Sequence, residues 1–135
     1  MTFFLEMNPP TVTHQEKRVA VRCGRPVIYE DARLKDARAK LTAHLMQNKP
    51  DKPMTGALQL RVQWLFLDAG GRHKHGELRT TKPDTDNLQK LLKDCMTHVG
   101  FWNDDAQVAV EHVIKRWVRQ RPGIMIEVMP AYEQE

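Results

Sequence analysis

The sequence predicts an α+β fold in which a mixed β-sheet packs against two main helices. Apolar and polar residues alternate over residues 58–66, as in a strand with one buried face, and two other segments carry apolar residues at helical spacing. The predicted element order, β-α-β-α-β-β, is typical of a sheet covered by helices. A chain of 135 residues suffices for one hydrophobic core, so we expect a single domain over residues 1–135.

The strands are predicted from alternation and from the residues that end them. Residues 3–7 form a first candidate, stopped by Pro9 and Pro10. Residues 11–25 are predicted as a loop or a short hairpin. Further strands are predicted over residues 107–118 and 124–128, with a turn between them at Arg121, Pro122 and Gly123. The clearest strand has one apolar face, which consists of Leu58, Leu60, Val62, Trp64 and Phe66.

The two helices are predicted from apolar stripes. The first is expected over Tyr29–Asn48, and the prolines at positions 50 and 53 end it. The second is expected over about Asp84–His98, and Gly100 ends it. The stripe of the first helix contains Leu34, Ala37, Leu41 and Leu45. The stripe of the second contains Leu88, Leu91, Leu92, Cys95, Met96 and Val99.

Composition favours a cytoplasmic protein without a membrane segment. No apolar run approaches the roughly 20 residues that span a bilayer, and the N-terminus lacks the basic start of a secretory signal. The two cysteines, Cys23 and Cys95, do not form a disulfide framework. Cys95 falls on the apolar stripe of the second helix, so we expect a buried thiol.

Basic residues form three clusters, over residues 17–25, 72–82 and 115–121, in a chain with 21 Lys and Arg against 17 Asp and Glu. Clusters of this kind can follow a phosphate backbone. Any one cluster alone is better explained as a solvated surface, whereas three clusters flanking an acidic site favour nucleic acid. The predicted DNA contacts are Arg72, Lys74, Arg79, Lys82, Lys17 and Arg18.

Four aspartates suggest a metal site. Asp84 and Asp86 lie at the start of the second predicted helix, and Asp104 and Asp105 lie in the loop after it. Carboxylates brought close together repel one another, and a divalent cation removes that cost. Oxygen ligands suit Mg²⁺, which can activate water for attack on phosphorus. If the strand at 107–118 lies beside the strand preceding Asp84, both acid pairs meet at one edge of the sheet, and we expect this arrangement.

Helix capping is the alternative explanation for each aspartate taken singly. Aspartate is a favoured N-cap residue, and the run from Asp86 to Gln89 has the spacing of a capping box. An ion pair between Asp86 and Lys90 would stabilise a helix by about 0.2–0.5 kcal/mol. Asp104 and Asp105 could equally cap the next segment or mark a turn. One helix needs only one capping acid, however, so the four together favour a metal.

Zinc is a further alternative. His73 and His75 have a spacing seen in zinc sites, and Cys95 with His98 would be their partners. No second ligand pair stands at a suitable distance, so the histidine segment is more simply explained as a loop that contacts phosphates.

Two motifs carry a resemblance to a known family. The first is D-x-D-N-L-x-K, from Asp84 to Lys90, and the second is W-x-D-D-x-Q-V, from Trp102 to Val108. Together they resemble the RusA family of Holliday junction resolvases, small endonucleases of bacteria and their phages. The resemblance covers about a quarter of the chain, between Lys82 and Arg116. It departs at Lys93, where an aromatic residue occurs in at least one relative.

The resemblance implies a homodimer that binds four-way junction DNA and makes paired, symmetric nicks with 5′-phosphate and 3′-hydroxyl ends. It implies Mg²⁺, with Mn²⁺ as a substitute, held by the catalytic acids Asp84, Asp86 and Asp105, with Asp104 as a further candidate ligand. Lys90 corresponds to the catalytic lysine of the family. Two alternatives remain: a metal-dependent DNA nuclease that needs no junction, and a non-catalytic DNA-binding protein.

Overall fold

The computed structural model describes residues 1–13, 18–22, 24–29 and 32–132. Six strands, two α-helices and one short 3-10 helix make up the described chain. In chain order they are β1 (Thr2–Leu5), β2 (Arg18–Arg22), β3 (Arg25–Tyr29), α1 (Ala32–Met46), β4 (Leu58–Leu67), α2 (Thr85–Val99), the 3-10 helix (Asp105–Gln107), β5 (Val108–Val118) and β6 (Gly123–Pro130).

Four strands form one mixed sheet in the order β1-β6-β4-β5, and β2 and β3 form a separate antiparallel hairpin. β6 runs antiparallel to both of its neighbours. β4 and β5 are parallel and pair along their whole length, from Leu58 opposite Val108 to Leu67 opposite Val118. Parallel neighbours need a crossover connection, which α2 provides. The predicted mixed sheet with two helices is confirmed.

The core lies between one face of the sheet and the two helices, which also contact each other. The apolar residues of β4 point into this core, as their alternation predicts. Over the described residues, no helix has both the length and the apolar character needed to cross a bilayer. The fully buried core side chains include Leu34, Leu41, Leu45, Leu58, Leu60, Trp64, Leu88, Leu92, Met96, Ile124, Ile126 and Val128.

α2 ends where its sequence predicts. Gly100 adopts a left-handed conformation with φ of 96°, which glycine accepts without the steric cost of a Cβ atom. The backbone N–H groups of Gly100 and Phe101 both donate to the carbonyl of Met96. Trp102 is buried, and its indole N–H donates to the Thr97 hydroxyl over 2.7 Å. The chain leaving α2 is therefore fixed against the last turn of the helix.

The first helix begins later than predicted. Tyr29 belongs to β3, where it pairs with Arg18, so α1 starts only at Ala32 and ends at Met46. The helical pattern missed this boundary because the hydrogen bonds of the hairpin override local helix propensity. A hairpin is present, but its strands are Arg18–Arg22 and Arg25–Tyr29, so it overlaps only the second part of the predicted segment 11–25. Residues 14–17 and 23 of that segment lie outside the described residues.

The structure describes one of the two cysteines. Cys95 is buried in the core, as predicted, and burial raises the pKa of its thiol. Cys23 lies outside the described residues.

Gly123 is a close-packing position at the start of β6. A Cβ atom there would overlap the Phe4 ring and lie 2.5 Å from the Leu5 carbonyl oxygen. We expect Gly123→Ala to lower the free energy of unfolding by about 1–3 kcal/mol, the usual cost of overpacking. Gly70→Ala is the control, because its Cβ would meet only the flexible Arg72 side chain at 3.6 Å. Urea unfolding measures both, and equal stability of the two variants would contradict the packing described.

Candidate active site

Asp84 and Asp86 lie at the N-terminus of α2 with exposed side chains. Asp84 is the N-cap residue, yet its side chain makes no capping hydrogen bond. Within the described part of the chain, neither carboxylate has a hydrogen-bonding or ion-pair partner, and Lys90 does not pair with Asp86. The capping explanation is therefore wrong for the Asp84 side chain, and both carboxylates are available to a ligand.

The capping box that the spacing from Asp86 to Gln89 would allow is also absent from α2, whose N-cap residue is Asp84. Gln89 is instead buried, and its side-chain oxygen accepts the indole N–H of Trp64 over 2.7 Å. Its amide nitrogen donates to Glu111 on β5 over 3.3 Å. Gln89 therefore ties α2 to β4 and β5, and this role could not be predicted from the spacing.

Lys115 on β5 fixes the peptide that leads into Asp84. Its ammonium donates to the carbonyl oxygens of Thr81 and Pro83, each over 2.8 Å. Burial lowers the pKa of Lys115 and the charge of Arg79 lowers it further, while the Asp84 carboxylate acts in the opposite direction. Lys115 therefore orients the start of α2 and places a positive charge near the Asp84 carboxylate. Sequence reasoning assigned it only to a basic cluster.

Arg79 has a structural role that the basic pattern did not indicate. Its guanidinium carbon lies 4.2 Å from the centroid of the Phe66 ring and 4.3 Å from that of Trp117. One guanidinium nitrogen donates to the carbonyl of Lys82, and burial lowers the pKa of Arg79. These contacts order the loop before Asp84, and they leave the guanidinium less available to DNA than the sequence suggested.

The other predicted DNA contacts divide into two groups. Arg72, Lys74 and Lys82 have exposed side chains on the loop between β4 and α2. Arg18 belongs to β2, but its side chain lies outside the description, and Lys17 lies outside the described residues altogether.

Part of that loop covers the edge of β5. The N–H of Gly76 donates to the Trp117 carbonyl over 2.7 Å, that of Trp117 to Glu77 over 2.8 Å, and that of Arg79 to Lys115 over 2.9 Å. β5 is an edge strand of the sheet, and this loop bonds to the edge that faces away from β4. Within the described chain, the seven residues from Val108 to Ile114 carry no such cover.

Asp104 and Asp105 flank the start of the 3-10 helix, and their side chains do different things. The Asp104 carboxylate accepts the N–H of Ala106 over 2.9 Å and completes a capping box with Gln107. Capping is thus confirmed for Asp104. The half-buried Asp105 side chain has no hydrogen-bonding or ion-pair partner among the residues described. Asp105 is therefore the acid of this pair that is free to bind a ligand.

The two acid pairs lie at opposite ends of α2. The helix has 15 residues and is therefore about 22 Å long. Along β5, Lys115 near Asp84 and Val108 near Asp105 are separated by about 23 Å of strand. The expectation that the pairs meet within a single chain is wrong. β5 does lie beside β4, but because the two are parallel, α2 carries the chain back to the opposite end of the strands.

The side chains at each end still suit a hard cation. Asp84 and Asp86 offer exposed carboxylate oxygens, which are the ligands that Mg²⁺ prefers. In the described residues no group of three or more Asp, Glu, His or Cys side chains is arranged to hold a metal ion. The histidines and Cys95 of the zinc alternative therefore form no such group either. The carboxylates without partners among the described residues thus lie at two separate places in the chain.

Lys115→Met tests the anchoring of the loop before Asp84. The change leaves two carbonyl groups without their charged donor, so we expect a loss of about 1–3 kcal/mol in the free energy of unfolding. Lys74→Met, at an exposed lysine without a partner among the described residues, is expected to stay within about 0.5 kcal/mol of the wild type. Urea unfolding compares them. Wild-type stability in Lys115→Met would show that the ammonium does not hold the loop.

Comparison with known proteins is consistent with the two motifs. The family model for endodeoxyribonuclease RusA matches residues 8–129. A crossover junction endodeoxyribonuclease of Lactococcus phage r1t is 31% identical over 107 residues, which cover 78% of this chain and 80% of that protein. Proteins with the same description from Escherichia coli K12 and Enterobacteria phage 82 are each 56% identical over 32 residues, 24% of this chain and 27% of theirs. The chain belongs to the RusA family of endodeoxyribonucleases.

Proposed function

We propose that the protein is a Holliday junction resolvase, which makes paired, symmetric nicks in four-way DNA junctions and leaves 5′-phosphate and 3′-hydroxyl ends. Family membership supports an endodeoxyribonuclease of the crossover junction class. The observation that carries the proposal is the pair of unpartnered carboxylates, Asp84 and Asp86, at the start of α2 within a family motif. A bacterial or phage-infected cytoplasm is the proposed setting.

Asp84, Asp86 and Asp105 are the proposed ligands of Mg²⁺, with Mn²⁺ as a substitute. The cation, when bound, would activate water for attack on the scissile phosphorus and stabilise charge on the leaving oxygen. The exposed carboxylates of Asp84 and Asp86 leave room for a phosphate group of DNA beside them. Asp104 remains a weaker candidate ligand, because its carboxylate already caps the 3-10 helix.

Lys90 is proposed to stabilise the transition state. It lies four residues after Asp86 on α2, and residues at this spacing share one face of a helix. Its exposed ammonium makes no ion pair with a described acid, so it is available to a non-bridging phosphate oxygen. A fixed positive charge there would oppose the negative charge that develops as phosphorus is attacked.

A homodimer would unite the separated acids. The uncovered edge of β5 runs from Val108 to Ile114, and its midpoint is Glu111. Two such edges can pair antiparallel about a twofold axis at Glu111, which sets Val108 of one protomer opposite Ile114 of its partner. The like charges of the two Glu111 side chains are offset by Lys93, which lies 3.1 Å from Glu111 within each chain.

This pairing supports a composite site. Asp105 precedes Val108 by three residues, so it would lie beyond Ile114 of the other protomer, beside the segment that begins at Lys115. Lys115 holds the peptide that leads into Asp84. Each site would then combine Asp84 and Asp86 of one protomer with Asp105 of the other. Two equivalent sites suit two equivalent strands of a junction.

The basic loop is proposed to contact the phosphates of the DNA. Arg72, Lys74 and Lys82 are exposed in the segment that leads to Asp84, so they can bind the backbone beside the scissile bond. Lys17 and Arg18 are proposed as further contacts from their charge alone. Such contacts position DNA without distinguishing bases, so we propose that specificity comes from the shape of the branch.

Cleavage of a synthetic four-way junction tests the function. With Mg²⁺ we expect paired, ligatable nicks in strands of like polarity, and no cleavage with EDTA. Asp84→Asn should lower the single-turnover rate at least about 100-fold, because it removes a ligand charge without changing side-chain size. Junction binding should be retained, since the phosphate contacts remain.

A matched linear duplex and a fold check serve as controls. Equal cleavage of the duplex would contradict the resolvase and support a nuclease that needs no junction. Tight binding without cleavage under any metal would support a DNA-binding protein. Unfolding of Asp84→Asn would show that the carboxylate supports the helix instead of the chemistry.

Mixing two inactive variants tests the composite site. If each site combines Asp84 of one protomer with Asp105 of the other, a heterodimer of Asp84→Asn and Asp105→Asn has one site with both changes and one intact site. We expect about a quarter of the sites in the mixture to be active, compared with all sites of the wild type. Each dimer that has an active site should nick one strand per binding event. Each variant alone should be inactive. A mixture as inactive as its components would contradict the shared site.

A further inference from the structure

The side-chain amide of Gln107 makes hydrogen bonds on both sides of the turn that carries Asp104 and Asp105. Its side-chain oxygen accepts the backbone N–H groups of Asn103 and Asp104, over 3.0 and 3.1 Å. Its amide nitrogen donates to the carbonyl oxygens of Met54 and Gly56, over 3.0 and 3.1 Å. The single amide group thus makes four hydrogen bonds, and it joins two segments that are far apart in sequence.

The two segments have different surroundings. Met54 and Gly56 lie just before β4, a central strand of the sheet, and the N–H of Met54 also donates to the Phe101 carbonyl over 2.8 Å. Asn103 and Asp104 belong to the exposed turn that presents Asp105. The amide of Gln107 therefore anchors this turn to the segment that precedes β4.

We propose that Gln107 is a positioning residue, which holds Asp105 where it can bind the metal of the active site. The inference rests on the proposed function. Asp105 has no hydrogen-bonding or ion-pair partner of its own among the described residues, so its location depends on the backbone around it. Groups that orient a metal ligand commonly raise metal affinity or activity by about 10- to 100-fold.

Simple capping of the 3-10 helix is the rival explanation, and two substitutions separate it from anchoring. Gln107→Met keeps the length of the side chain and removes all four hydrogen bonds. Gln107→Glu keeps acceptors for the N–H groups of Asn103 and Asp104, so the cap survives, but it cannot donate to Met54 or Gly56. Its added negative charge would by itself strengthen cation binding, so a weaker affinity could not come from charge.

Mn²⁺ binding, followed by electron paramagnetic resonance of the free ion without DNA, is the first readout. Single-turnover cleavage and junction affinity follow with the same variants. We expect Gln107→Met and Gln107→Glu to bind Mn²⁺ about 10- to 100-fold more weakly and to cleave more slowly by a similar factor. Their junction affinity should stay within about twofold of the wild type, because no phosphate contact is removed. Gln63→Met, at a half-buried glutamine without a side-chain partner among the described residues, is the control.

Each outcome decides between the explanations. Wild-type Mn²⁺ affinity and cleavage in Gln107→Met would overturn anchoring. If that variant failed to fold, a wild-type cleavage rate of Gln107→Glu at saturating Mn²⁺, where the added charge cannot compensate through affinity, would overturn anchoring and leave capping alone. Unchanged Mn²⁺ affinity in Asp105→Asn would also overturn the proposal, because Asp105 would not be a ligand. A wild-type protein that binds Mn²⁺ but cleaves no junction would overturn the proposed function, while the comparison of Mn²⁺ affinities would still decide the role of Gln107.

Discussion

The parallel pairing of β4 with β5 determines where the two ends of α2 lie. Ten residue pairs hold the two strands side by side from Leu58 to Leu67. A connection between parallel strands must return the chain to the end of the strands where it began, and α2 makes this return along the face of the sheet. The N-terminus of α2 therefore lies at one end of the strands and its C-terminus at the opposite end. Because each acid pair is adjacent to one end of this helix, the topology separates the pairs by the length of α2.

Each end of α2 is fixed by a polar side chain that makes several backbone hydrogen bonds. At the N-terminus, Lys115 binds two carbonyl groups of the peptide that leads into Asp84. At the C-terminal end, Gln107 ties the turn before Asp105 to the segment before β4. Among the described residues, neither the Asp84 carboxylate nor the Asp105 carboxylate has a hydrogen-bonding or ion-pair partner, so both are available to a cation. The two anchored segments lie at opposite ends of α2, and the proposed dimer is the arrangement that would bring their acids together.

The sequence predicted the elements whose patterns are local. Alternation defined β4, an apolar stripe defined α2, and Gly100 marked its end, because each feature depends on a few neighbouring residues. It failed where distant contacts decide the outcome. Tyr29 joined a hairpin and not a helix, and the separation of the acid pairs depends on strand direction, which no local pattern encodes.

The candidate site, too, was predicted from the sequence only in part. The motif identified the aspartates but not their separate uses, since Asp104 caps the 3-10 helix and Asp84 makes no capping bond. The basic pattern likewise grouped Arg79 with exposed residues, although aromatic rings cover its guanidinium. The proposed sharing of each site by two protomers can be tested with the anomalous difference map of an Mn²⁺-soaked crystal. We expect a peak between Asp84 and Asp86 of one protomer and Asp105 of its partner. A peak enclosed by aspartates of one chain alone would contradict it.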